Sequence, residues 1–132
     1  MKIRIKGNSI RLRLTRPEVA RLADEGLLEE RTDFGARLFR WAVVTDEFAS
    51  ALSASFGIDG LTVTTPRDIV AKWAAGDEVG LYGVGLYGEQ AGSIGEPLAI
   101  AVEKDFRCLD RSRADGDEAD AYPHPALKPK GP

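Results

Sequence analysis

The opening stretch MKIRIKGNSIRLRL leaves the backbone few choices. Ile3 and Ile5 alternate with Lys2, Arg4 and Lys6, and after Gly7-Asn8 the alternation resumes, with Ile10, Leu12 and Leu14 against Ser9, Arg11 and Arg13. A period of two marks a half-buried strand, and Gly-Asn supplies a two-residue turn that tolerates positive φ. That turn sets the register. Lys6 faces Ser9, Ile5 faces Ile10, Arg4 faces Arg11, Ile3 faces Leu12 and Lys2 faces Arg13. All apolar side chains then share one face of a hairpin and the bases the other. A slip of one residue would exchange the faces and bury the charges, so pattern and turn specify the same pairing.

A helix follows. Thr15-Arg16-Pro17-Glu18 is a capping-box pattern with proline in the first turn. Val19, Leu22 and Ala23 form one apolar stripe, and Gly26 is a natural stop. LLEERTDF (27–34) and RLFRWAVV (37–44) read as two strands joined near Gly35. The order then repeats. ALSASF (51–56) and LTVTT (61–65) are strand-like around a Gly-Ile-Asp-Gly turn. Thr65-Pro66-Arg67-Asp68 reads as a second cap. Ile69, Val70, Trp73 and Ala74 make an apolar helix face, ended by Gly76. EVGLYGVGLYG (78–88) and PLAIAVEKDF (97–106) complete the set. Two ββαββ halves, about 1–45 and 50–106, predict an α+β fold with pseudo-two-fold symmetry. Eight mostly antiparallel strands and two helices would form either a barrel or a pair of sheets. The expected domain spans 1–109. Residues 110–132 read as an acidic, proline-containing tail, since apolar content falls after Leu109.

At 132 residues, with 43% apolar and 30% charged residues, the chain suits one globular domain. Its single cysteine, Cys108, cannot form an internal disulfide, which points to a reducing, cytoplasmic setting. The N-terminus lacks the apolar core of a signal peptide, and no apolar run approaches a membrane span. The net charge of −3 conceals a polarity: residues 1–16 carry six bases and no acid, whereas Asp115, Asp117, Glu118 and Asp120 crowd residues 115–120 without a base.

Like charges facing one another across a hairpin are destabilising, and Arg4–Arg11 and Lys2–Arg13 are two such pairs. Lys2, Arg4, Lys6, Arg11 and Arg13 therefore form a candidate anion-binding face. It could be compensated by Glu29 and Glu30, by Glu103 and Asp105, by the acidic tail, or by an external phosphorylated ligand. Nucleic acid is disfavoured by the negative net charge and by the absence of aromatics among the bases. Gly83-Val84-Gly85-Leu86-Tyr87-Gly88 matches G-x-G-x-x-G, but the residues that follow cannot start the helix a dinucleotide site requires, so it reads as a strand end and hairpin loop. Cys108 and His124 lie too far apart in sequence for the usual zinc spacing, and Ser9 is ordinary turn chemistry. Trp41 and Trp73 read as core or edge aromatics whose indole N–H groups should find acceptors.

A closed barrel with the bases inside would resemble the triphosphate tunnel enzymes, which hold a divalent metal with acids against phosphates. Those enzymes open with two glutamates and a lysine at alternating positions, whereas Lys2, Arg4 and Lys6 stand here and no glutamate precedes Glu18. On that resemblance Glu103, Asp105 or the acidic tail would hold the metal; Cys108 is a separate candidate metal ligand. Over Met1 to about Pro125, MKIRIKGNSIRLRLTRPEV and VEKDFRCL…YPHP resemble a family of short bacterial proteins classed as a domain of unknown function. Its members usually read Y-P-N-P where this chain has Tyr122-Pro123-His124-Pro125. The resemblance implies a bacterial cytosolic setting and no assigned activity. The leading expectation is a small non-enzymatic binding protein for an anionic ligand or protein partner, monomeric or homodimeric, with no cofactor and no membrane. The alternatives are a metal-dependent phosphohydrolase of the tunnel type and a metal or redox protein using Cys108.

Overall fold

The computed structural model describes residues 1–85 and 97–106. Eight strands and two helices follow in the order β1 (Lys2–Lys6), β2 (Ser9–Leu14), α1 (Arg16–Glu25), β3 (Leu27–Asp33), β4 (Leu38–Asp46), β5 (Ser53–Gly57), β6 (Gly60–Pro66), α2 (Arg67–Ala75), β7 (Gly80–Gly85) and β8 (Leu98–Lys104). They build two four-stranded mixed sheets, β1-β2-β8-β7 and β3-β4-β6-β5, and no closed barrel. The barrel alternative is thereby corrected to the pair of sheets.

Each sheet joins two antiparallel hairpins through a central parallel pair, β2 with β8 and β4 with β6. The two hairpins of one half lie in different sheets. Exchanging the halves converts β1-β2-β8-β7 into β5-β6-β4-β3, so a pseudo-two-fold operation swaps the sheets. Register follows the same rule. Ile3 faces Leu12 as Ala54 faces Val63, Leu12 faces Val102 as Val63 faces Val43, and Leu81 faces Val102 as Leu28 faces Val43. The β1–β2 register is the one its alternation dictates.

One core lies between the sheets. Ile10, Leu12 and Leu14 of β2, Leu61 and Val63 of β6, Val43 of β4, and Ile100 and Val102 of β8 form it together with the helix residues Val19, Leu22, Val70 and Trp73. Equivalent positions of the halves thus fill one interior, which explains how this short chain sustains a two-sheet core. The helices pack on each other. Thr15 is the N-cap of α1, and Gly26 ends it with φ +76° and an N–H bonded to Leu22 O at 2.9 Å. The second cap differs from expectation. Pro66 takes the N-cap position of α2, while Thr65 is fully buried and donates its hydroxyl to Val44 O at 2.8 Å. An interior hydroxyl must find an acceptor, and here the neighbouring strand provides it.

The tryptophans also correct an expectation. Neither indole N–H has a hydrogen-bond partner among the described residues. Trp73 is 1% exposed in the core, with the Lys104 ammonium 5.6 Å from its ring centroid. Burial of a large ring and the cation over its face outweigh one unmade hydrogen bond. Trp41 stacks obliquely on Phe39 at 5.5 Å. No helix among the described residues is long and apolar enough to cross a membrane.

Candidate functional site: the outer face of the first sheet

Strand alternation sends Ile10, Leu12, Ile100 and Val102 inward and presents the residues between them on the outer face of β1-β2-β8-β7. This face carries Lys2, Arg4 and Lys6 from β1, Ser9, Arg11 and Arg13 from β2, Ala99, Ala101 and Glu103 from β8, and Tyr82 from β7. The five candidate anion-binding residues are therefore together, as the alternation predicts, and lie on an outer surface rather than inside a barrel.

Glu103 is the charge centre of the face. Its side chain is only 13% exposed, with Arg11 Nε at 3.1 Å, Arg13 Nε at 3.9 Å, and the Tyr82 hydroxyl donating at 2.7 Å. Asp105 accepts from Lys2 Nζ at 3.2 Å. The opposed bases of the hairpin are thus offset from the adjacent strand, one of the compensations the sequence allows. Glu29 and Glu30 do other work. Glu29 holds Arg31 and Arg40 on the second sheet, and Glu30 contacts the Met1 amine at 3.0 Å. The hydrogen bond to Glu103, reinforced by partial burial, raises the Tyr82 phenol above its ordinary pKa. Gly80 makes this arrangement feasible. A Cβ there would come within 2.8 Å of both Glu103 Cγ and the Tyr82 hydroxyl.

Beside Glu103 a basin of about 420 Å³ opens, lined by Arg4, Lys6, Ser9, Arg11 and Tyr82 over a floor that includes Ala99 and Ala101. The pseudo-symmetry explains why the space exists. Position 99 of β8 corresponds to Arg40 of β4. On the second sheet Arg40 donates to Glu29 Oε2 at 2.7 Å and to Thr62 Oγ1 at 3.2 Å, on either side of the fully buried Ala42. Alanine at 99 leaves the equivalent volume of the first sheet unfilled. The β8 alternation places Ala99, Ala101 and Glu103 on one face, a signal visible in the sequence. Tyr82 becomes part of the site only once β7 is known to flank β8.

A second ionic centre lies at the edge of the core. The Met1 ammonium contacts Glu18 and Glu30, and Glu18 Oε1 also accepts from the Thr15 N–H at 2.9 Å and the Thr15 hydroxyl at 3.0 Å. Burial lowers the pKa of the amine, but its hydrogen bonds to Glu18 and Glu30 outweigh this and hold it above the ordinary value. Burial likewise raises Glu18, while hydrogen bonds from Met1 and Thr15 outweigh it and keep the carboxyl below its ordinary range. Glu18 thus ties the start of β1 to the start of α1.

Glu103 and Asp105, the carboxylates proposed for a metal, each face cations here. Among the described residues no three His, Cys, Asp or Glu side chains are grouped to hold a metal ion. Cys108, His124 and the acids of the tail lie outside the described residues. Gly83 and Gly85 of the G-x-G-x-x-G stretch belong to strand β7, and residues 86–96 lie outside the described part. Gly83 serves packing, since a Cβ there would sit 2.8 Å from Leu52 Cβ. Comparison with known proteins yields a match to the model of a family of unknown function, DUF7009, over residues 1–126. No curated protein and no solved structure matches.

Proposed function

The chain belongs to this family of unknown function, and we propose that it is a non-enzymatic binding protein for a small phosphorylated anion, held on the outer face of β1-β2-β8-β7. The observation that carries the reading is the basin of about 420 Å³ with Arg4, Lys6, Arg11 and Ser9 along one side and Tyr82 along the other. Guanidinium and ammonium groups suit phosphate oxygens, and the small floor residues admit a ligand close to the sheet. The cations are engaged within the chain, Lys2 with Asp105 and Arg11 and Arg13 with Glu103, with further contacts made by Arg4 and Lys6. An entering anion exchanges with part of that network.

Thermal denaturation with pyrophosphate, triphosphate and a nucleoside triphosphate tests this. A ligand that binds only the native state at a hundredfold excess over Kd adds about 2.7 kcal/mol to stability. The midpoint should rise with ligand, and less so as salt screens the face. Ala99→Leu fills the basin without adding charge and should remove the rise while leaving the ligand-free midpoint nearly unchanged. A flat response of the wild type across all three anions would overturn the anion reading and direct attention to a protein partner.

A further inference from the structure

Among the described residues the two sheets have four edge strands, β1 and β7 in one and β3 and β5 in the other. Each edge presents unpaired backbone groups, and proteins protect such edges with charge, proline or distortion. β1 carries Lys2, Arg4 and Lys6, and pairing with its own copy about the strand centre would set Arg4 against Arg4. β3 is centred on Glu30, and pairing with its own copy about the strand centre would set Glu30 against Glu30. β7 has glycine at 80, 83 and 85, which leaves register weakly specified. β5, SASFG, has neither charge nor proline.

The hydrogen-bond phase of β5 suits self-pairing. Gly57 faces Gly60 across the two-residue turn, so Gly57, Ser55 and Ser53 direct their N–H and C=O groups to β6. Ala54 and Phe56 direct theirs to the open edge. In an antiparallel pair with its two-fold axis at Ser55, Ala54 exchanges both hydrogen bonds with Phe56 of the second copy, and Phe56 with Ala54. Each large ring then lies opposite a small side chain, both on the core-facing side of the sheet. Phe56 is 76% exposed and Ile58 fully exposed. The pairing covers the exposed Phe56 ring along with the backbone groups it satisfies. No like charges meet anywhere along the strand.

We propose that the chain forms a homodimer through antiparallel β5–β5 pairing, which joins the two copies of β3-β4-β6-β5 into one eight-stranded sheet. The contact is separate from the basin on the other sheet and does not depend on the anion reading.

Sedimentation equilibrium over micromolar to submillimolar concentrations tests it. The wild type should show a dimer mass. Ser55→Lys places two ammonium groups against each other at the axis and should give a monomer, whereas Phe34→Lys, at an exposed position in the β3–β4 turn, should remain dimeric. A second measurement fixes the register in a Cys108→Ser background. Ser55 and its copy form a non-hydrogen-bonded pair with Cα atoms about 4.5 Å apart, within disulfide reach. Ser55→Cys should therefore cross-link to itself under mild oxidation, and Ser53→Cys should not. A monomeric wild type at every concentration overturns the proposal. So does a dimer that persists in folded Ser55→Lys, or cross-linking at 53 without cross-linking at 55. If circular dichroism shows Ser55→Lys unfolded, the cross-linking pattern alone decides.

Discussion

The two sheets present nearly the same inner faces and very different outer ones. Leu12 and Val63, Ile10 and Leu61, and Val102 and Val43 occupy equivalent inward positions and are all buried. Outward, Arg11 and Arg13 correspond to Thr62 and Thr64, Lys2 and Arg4 to Ser53 and Ser55, Tyr82 to Glu29, and Ala99 to Arg40. One face is a charged surface with a basin. The other carries hydroxyls on β5 and β6 and the Glu29–Arg31–Arg40 cluster, with Arg40 lying across it to Thr62. The shared interior tolerates only small changes in volume, so the halves stay alike there. Solvent-facing strand positions carry no such constraint and have room to diverge. The difference locates the candidate site on the face that kept an opening.

Substitutions can break or sharpen this comparison. The largest effects belong to what the halves share. Leu22→Ala and Trp73→Ala occupy equivalent places on α1 and α2, and each should cost about 3–5 kcal/mol by chemical denaturation, since neither site is exposed enough to relax. A loss confined to one half would refute a common core. Next comes a position where the sheets differ in backbone. Gly60 has φ +107°, and a Cβ there would lie 2.2 Å from Arg40 O, whereas its counterpart in the first sheet is Ser9. Gly60→Ser should destabilise by about 2–3 kcal/mol, while Ser9→Gly should cost under about 1 kcal/mol.

The charged clusters should separate the faces further. Glu103→Gln weakens the bonds to Arg11, Arg13 and Tyr82 and should cost about 1–3 kcal/mol. Glu29→Gln on the exposed cluster of the second sheet should cost less. Ultraviolet titration provides a specific readout, because the Tyr82 pKa should fall towards its ordinary value in Glu103→Gln and stay raised in Glu29→Gln. The smallest effect concerns pH. Glu18 is lowered from 4.5, so its contribution is present above that value and is lost as pH falls through the depressed folded pKa. The Met1 amine is raised from 8.0, so its contribution is present below that value and is lost as pH rises through the elevated folded pKa. Glu18→Gln should flatten both limbs of a plot of melting midpoint against pH. A curve unchanged in the variant would remove this cluster from the stability of the fold.

The legible parts of the molecule share a property. In β1–β2, alternation and a two-residue turn act within a few residues of each other, so the pairing could be read residue by residue. α1 is similar, with Thr15, Pro17 and Gly26 all local signals. Thr65 shows the limit. Its motif looks like the Thr15 cap, yet burial beside β4 redirects the hydroxyl to Val44 O. Trp41 and Trp73 were expected to bond through their indole N–H groups, and core packing took precedence. Glu103 was recognisable as a carboxylate on the outer face of the last strand. Its partners Arg11 and Arg13 come from a strand far away in sequence, and its choice of cations could be settled only by that neighbour.

The sequence by itself determined which sides of the first hairpin and the last strand share an apolar face, where the first helix starts and stops, and that the element order occurs twice. Period-two and period-3.6 patterns encode orientation relative to a core, and caps encode helix ends, because both act over a few residues. Only the tertiary structure decided that the hairpins of each half part company, that β2 lies parallel to β8 and β4 to β6, and that Ala99 leaves open the space Arg40 fills. Parallel neighbours distant in sequence have no turn to fix their register. It is set by the fit of both sheets to one shared core, and the basin on the charged face is a consequence of that fit.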